Sequence, residues 1–261
     1  MLAVLAWPGE AGLRLRAASI AMPLPQEAGV VGTALAVAPG ALVTNSHVVR
    51  ACAGRPLRVV GLPGPWQVRA EDEHGDLAVL RGPAEGHAVL PLSGASQLPR
   101  GTPVLALGYA SGPGQPATLL STAGQVLRAA LTIHEPGGSR AGSFVLHDRQ
   151  GREVAATWDD GLRFYGAQQA SHLRWRLEID AAAAAGSSGG PVLDGAGNGV
   201  GVIYAGDSGR SLTAVVPLDD LRELLRRTDV LPRFGARSLA AAPDWPQVAR
   251  RAAAAVFQLR C

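Results

Sequence analysis

The stretch Ala185–Gly206, AGSSGGPVLDGAGNGVGVIYAG, sets Ser187 and Ser188 inside a cage of glycines and runs straight on into Pro191 and an apolar segment. A flexible linker is also rich in glycine and serine. A linker, however, has no reason to continue into Val192, Leu193, Val200, Val202 and Ile203 around an Asp-Gly-rich turn, which is the mark of a buried hairpin. The glycines therefore belong to a folded core, where a residue without Cβ serves a positive φ or a close backbone approach. The combination predicts a serine held at a tight turn, with backbone N–H groups aimed at a common point.

The rest of the chain is punctuated in the same way. Its 261 residues carry 33 glycines and 19 prolines, spaced so that short apolar runs alternate with turns, which favours an all-β architecture. An apolar content of 47% and a charged content of 17% describe a globular chain with a sizeable core. Every basic residue is arginine, and a net charge of +3 scattered over this length argues against a nucleic-acid partner. No segment approaches the ~20 apolar residues of a membrane-spanning helix. The apolar run Met1–Trp7 has no basic residues before it and ends at Pro8, Gly9 and Glu10, unlike a standard secretory signal.

Residues 1–29 read as an irregular arm. From Val30 the β signals begin: VVGTALAVAPGALVTNSHVV is two apolar runs joined by Pro39-Gly40, and RPLRVVGL, WQVRAEDE, DLAVLRG and TPVLALGYA follow as short strands. Together they predict one barrel over 30–110. A second set over 111–227 includes a hairpin turning near Arg149–Gly151, the strand HLRWRLEID, the glycine cage, SLTAVVPL and an amphipathic helix from Leu218 to Arg227. The tail, 228–261, carries a helix from Asp244 to Ala254 and a last strand, VFQLRC, and is expected to dock on the barrels.

Chain order decides which chemistry suits the serine. GSSGG formally matches the G-x-S-x-G elbow, but that arrangement needs its histidine after the serine, and all six histidines precede Ser188. A Ser–Lys dyad fails for want of lysine. The order Asp, His, Ser cannot use His47, because no aspartate precedes position 72. The order His, Asp, Ser survives. His47 ends an apolar strand in ALVTNSHVVRAC, and Asp76 opens the apolar run in EHGDLAVLRG, where a buried carboxylate needs a partner such as an imidazole N–H. In this reading Asp76 orients His47, His47 takes the proton of Ser188, and the N–H groups of Gly186 and Ser188 hold an oxyanion.

The blocks GTALAVAPGALVTNSHVV, GDLAVLR, VLALGYASG, STAGQVLRA, LEIDAAAAAGSSGGPVLDGAGNGVGVI and LTAVVPLDDLRELL resemble, in that order, the HtrA/Deg branch of the trypsin-like serine proteases. The resemblance covers roughly residues 30–227. It implies a chymotrypsin-like double β-barrel with the active site between the barrels, and endopeptidase activity on polypeptides, often unfolded ones. The family's domain is usually followed by a PDZ module, for which residues 228–261 are too few. Position 187, commonly Asn or Asp in the family, is serine and cannot pair with a freed N-terminus, so no activating cleavage is expected. The segment GSFVLHDRQGREVAATWDDGLRFYG, around 142–166, reads as an insertion.

By position in the family, Ala182 lies at the base of the specificity pocket, Ile203, Tyr204, Ala205 and Gly206 form its wall and pair with substrate backbone, and Thr213 narrows the far side. With no carboxylate at 182, small or medium aliphatic P1 residues are expected. The resemblance to mostly extracytoplasmic proteases also favours a disulfide between Cys52 and Cys261 over a free buried thiol at Cys52, and a periplasmic or secreted location over a cytoplasmic one. His134 and His147 are isolated and lack ligand spacing, so neither metal nor cofactor is expected. Trp158, Phe164, Tyr165 and Trp175 are expected in the β-core. Nothing in the sequence specifies an oligomer. The competing reading is a catalytically silent fold of the same type serving as a peptide- or partner-binding scaffold.

Overall fold

Alternation of apolar residues around Pro39-Gly40 folds the first hairpin, and most of the strands that follow are short. The computed structural model describes residues 16–21, 31–83, 86–95, 98–110, 116–134, 140–154, 156–165, 173–207, 212–236 and 243–261. The apolar run Met1–Trp7 and His172 lie outside the described residues. In chain order the first strands are β1 (Arg16–Ala21), β2 (Val31–Ala38), β3 (Ala41–Thr44), β4 (Arg58–Val59), β5 (Gln67–Asp72), β6 (Leu77–Arg81), β7 (Leu92–Ser93), β8 (Pro103–Ala110) and β9 (Thr118–His134). There follow β10 (Arg140–His147), β11 (Glu153–Val154), β12 (Leu173–Ile179), β13 (Pro191–Leu193), β14 (Gly199–Asp207), β15 (Leu212–Pro217), β16 (Phe234–Gly235) and β17 (Val256–Arg260). The helices are α1 (Ser46–Arg50), α2 (Trp158–Tyr165), α3 (Leu218–Arg227) and α4 (Trp245–Ala253).

Two barrel-like sheets result. The first runs β4-β17-β2-β3-β6-β5, six strands. In the second, β8 pairs with both β13 and β9, which closes the ring β9-β12-β15-β14-β13-β8. The 17-residue β9 serves this closure by bending from β8 at its start to β12 and β10 at its end.

Sheet membership departs from the sequence boundaries in three places. TPVLALGYA, expected to finish the first barrel, is β8 of the second. Residues 16–21, read as irregular, form β1 antiparallel to β10. The tail strand β17 inserts between β2 and β4, completing the first sheet from the far end of the chain. Partner choice at this sequence separation is set by tertiary packing and leaves no local signal.

The insertion also differs from expectation. Trp158, Phe164 and Tyr165 lie on α2, not on a strand, and Trp158 is exposed, edge-on to Trp175 at 6.3 Å. Thr157 starts this helix: its N–H donates to Asp160 Oδ2 at 2.8 Å, and its hydroxyl accepts from Asp160 N at 3.2 Å, a reciprocal cap. The hairpin before it turns at Gly151 (φ +78°), between β10 and β11.

One apolar core runs through both sheets. Leu35, Leu42, Val79 and Leu80 of the first sheet join Leu105, Leu107, Leu193, Val202 and Val216 of the second, and α3 adds Leu221, Leu224 and Leu225. A second cluster, around Val104, Val126, Ile179, Val192 and Ile203, fills the closed ring. The seam between the sheets is therefore packed, and side chains lying along it are held rigidly.

Candidate active site

His47 is the second residue of α1, a five-residue helix leaving the end of β3. Its cap residue, Asn45, makes no side-chain cap and instead donates Nδ2 to the carbonyl of Asp76 at 2.9 Å. Asp76 is fully buried and adopts φ +58°, a left-handed conformation that a non-glycine residue holds only where its surroundings dictate it. Residue 47 occupies both carboxylate oxygens: its backbone N–H donates to Oδ1 at 2.9 Å, and Nδ1 lies 2.8 Å from Oδ2. A carboxylate only accepts, so this contact keeps the proton on Nδ1 and leaves Nε2 as an acceptor.

The turn leading to Asp76 is tied down by Asp72. Gly75 N donates to Asp72 Oδ1 at 2.9 Å, and Arg227 Nη2 donates to Oδ2 at 3.0 Å. Burial alone would raise the Asp72 carboxyl, but the Gly75 N–H and the Arg227 guanidinium hold it below the usual carboxylate range. A carboxyl depressed in the folded state contributes stability above its unfolded pKa and loses it as pH falls through the lowered value.

Ser188 lies between β12 and β13, in the glycine cage. Thr33 of β2, fully buried, holds this loop across the seam. Its hydroxyl donates to Gly186 O at 2.8 Å while accepting from Tyr109 N at 2.8 Å, and its N–H donates to Ser188 O at 2.9 Å. Gly189 (φ +87°) lies so close that a Cβ there would stand 2.1 Å from Thr33 O. Gly186 has φ +92°. Within the cage, the N–H groups of Ser187, Gly189 and Gly190 donate to Ala184, Ile203 and Ser187 carbonyls, whereas those of Gly186 and Ser188 have no acceptor among the described residues.

The Ser188 hydroxyl donates to Tyr204 O at 3.3 Å. β14 bulges there: Ile203 pairs with Val215 and Ala205 with Ala214. The Tyr204 ring stands edge-on to His47, with centroids 6.2 Å apart. Burial first, and then the Asp76 charge, push the Tyr204 hydroxyl above its ordinary pKa. His47 and Asp76 are thus in direct contact, and Ser188 and His47 both contact Tyr204.

A cavity of about 180 Å³ lies beside the cage, lined in part by Ala106, Leu120, Ala182, Ala183 and Ile203. Ser187 lines it, and Ser188 does not. Of the residues expected around a specificity pocket, Ala182 and Ile203 face this cavity. The Thr213 side chain is fully buried, and its hydroxyl donates to Ala181 O at 2.5 Å. Tyr204 is likewise fully buried, while Ala205 and Gly206 continue the β14 ladder with β15. Cys52, just past α1, is disulfide-bonded to Cys261, with their Cα atoms 5.5 Å apart. Among the described residues no cluster of His, Cys, Asp and Glu could hold a metal ion. Sequence reasoning missed Thr33 and Asn45, for which only their places beside the apolar strands β2 and β3 offered a clue.

Residues 32–202 match the family model of the trypsin-like peptidase domain. Among solved structures, the active form of the Rv3671c protease from M. tuberculosis is similar with a TM-score of 0.56 at 19% identity, over 88% of this chain and 86% of that one. Its inactive form gives 0.52 at 21% identity, over 76% and 83%. A serine endoprotease from Yersinia pestis gives 0.51 at 17% identity, over 82% of this chain and 62% of that one. Identities at this level show the fold alone. No curated protein matches the sequence.

Proposed function

We propose, for a chain that belongs to the trypsin-like peptidase family, that it is a serine endopeptidase acting through His47, Asp76 and Ser188. The observation that carries this reading is the double hold of Asp76 on His47, through the backbone N–H and Nδ1. It fixes the ring and assigns Nε2 to the proton of the attacking hydroxyl. For attack, Ser188 Oγ exchanges its contact with Tyr204 O for His47 Nε2 and adds to the substrate carbonyl. The unpaired N–H groups of Gly186 and Ser188 receive the negative oxygen, a contribution of about 3–4 kcal/mol for each donor. The protonated His47 then passes its proton to the leaving amine, and water repeats the cycle on the acyl-enzyme.

The test is labelling by a fluorophosphonate probe. The native chain is expected to label and Ser188→Ala not to label. Equal labelling of both, or of neither, removes the triad. A second reading, a catalytically silent peptide-binding fold, is favoured by the Ser188 hydroxyl donating to Tyr204 O, and a native chain that binds peptide without labelling would establish it.

The substrates in this reading are polypeptides with small or medium aliphatic P1 residues. Support comes from Ala182, which brings no carboxylate to the cavity wall. Profiling on a peptide library is expected to show cleavage after alanine, valine or leucine, and dominant cleavage after arginine would refute it. The Cys52–Cys261 bridge supports a periplasmic or secreted location.

A further inference from the structure

Arg176 of β12 is the largest fully buried side chain among the described residues, only 1% exposed. Its Nη2 donates to Gly75 O at 3.0 Å, and its Nη1 donates to Trp175 O at 3.0 Å and approaches Asp220 Oδ2 at 3.4 Å. Its Cζ lies 5.1 Å from the centroid of the Tyr204 ring, and its Nε has no hydrogen-bond partner among the described residues. A buried cation whose ion pair with Asp220 stands at 3.4 Å is costly to keep. Its surroundings indicate what it does there.

The Gly75 carbonyl belongs to the peptide bond that leads into Asp76. Asn45 holds the carbonyl that leaves Asp76, so the left-handed residue is gripped on both sides, by Asn45 from the first sheet and Arg176 from the second. The aromatic face under the guanidinium belongs to Tyr204, whose edge meets His47 and whose carbonyl accepts the hydrogen bond of the Ser188 hydroxyl.

We infer that Arg176 is a positioning residue for the His47–Asp76 pair, fixing the Asp76 turn from across the seam and offsetting its negative charge. The inference rests on the triad reading. Charged and titratable groups facing the guanidinium are Asp76 before β6, Tyr204 on β14, Asp220 on α3 and Arg174 on its own strand, with His47 of α1 beyond Tyr204. Burial lowers the pKa of Arg176, while Tyr204, Asp220 and Asp76 act the other way, and arginine stays charged. Burial also raises the carboxyl of half-buried Asp220, against the pull of Arg176.

The signs follow. Without the cation, the field at the imidazole becomes more negative and the imidazolium is favoured. Without Asp220, the cation is less compensated and the imidazolium is disfavoured. In Arg176→Met, the His47 titration followed by NMR, and the acid limb of kcat/KM, are expected to move up by about half a pH unit, with kcat down about 10- to 100-fold and KM nearly constant. In Asp220→Asn, both midpoints are expected to move the opposite way, and Arg176→Lys should restore most of the Arg176→Met shift. Midpoints that coincide with the native value in both charge-removing variants, or that move in the same direction, overturn the inference. If Arg176→Met fails to fold, Asp220→Asn alone decides by its downward shift. If the native chain takes no fluorophosphonate, the triad reading falls, while the NMR midpoints still judge the electrostatic role of Arg176.

Discussion

Asp76→Asn is expected to lower kcat by about 10⁴-fold, a barrier increase of about 5 kcal/mol, while the chain stays folded. The reason lies in the two contacts that residue 47 makes. Its backbone N–H and Nδ1 both donate, to Oδ1 at 2.9 Å and Oδ2 at 2.8 Å, and an ionised carboxylate accepts at both. An asparagine has one oxygen and one NH₂. If its oxygen takes the backbone N–H, the NH₂ faces Nδ1, which must then accept, and the ring proton moves to Nε2. The imidazole keeps its place but cannot take the proton of Ser188. Steady-state hydrolysis of a peptide substrate by purified native and variant protein measures this, with a thermal melt to show that the variant is folded. A loss below tenfold would mean that Asp76 does not set the tautomer.

Removing the disulfide, by Cys52→Ser with Cys261→Ser, is expected to cost the fold a large share of its stability. The bridge spans a sequence separation of 209 residues. In the chain-entropy model a loop of that length costs the unfolded state roughly 5 kcal/mol of freedom, which the double variant regains. That is a large share of the ~5–15 kcal/mol by which a domain is held folded. The bridge also joins the turn after α1, which carries His47, to the residue after β17, so its loss should loosen both. Urea unfolding should show the midpoint falling sharply at similar slope, and amide exchange should speed up along β17. A stability change under about 1 kcal/mol would show that the ladders of β17 with β2 and β4 hold the tail unaided.

Much of this arrangement was legible in the sequence because the responsible signals are local. The Pro39-Gly40 hairpin, the α3 boundaries, the Asp244 cap of α4 and the glycine cage each depend on a few adjacent residues whose chemistry admits little else. The contact between His47 and Asp76 was legible for a different reason: chain order left only the sequence His, Asp, Ser, and each of the two sits at the edge of an apolar strand. What was not legible depends on pairing at a distance. Nothing in TPVLALGYA says that it joins β13 and β9 and not β6, and nothing in VFQLR names β2 as its neighbour. The α2 helix was a missed local signal. Thr157 followed three residues later by Asp160 is a capping pattern, but helix boxes are sought with glutamate or glutamine, and the surrounding aromatic residues suggested a strand. Thr33 went unremarked because a threonine in a strand is ordinary, and only the loop crossing from the other sheet gives its hydroxyl a task.

The insertion of β17 between β2 and β4 has a consequence in time as well as in space. During synthesis, the strand that flanks the histidine-bearing hairpin waits without its neighbour until residues 256–260 have left the ribosome. The loop around Ser188 that Thr33 must grip is by then already outside. A nascent chain therefore carries His47 and Asp76 for most of its translation without the full sheet that supports them. The sheet around His47 is closed only when a strand about 200 residues downstream arrives to fill its gap.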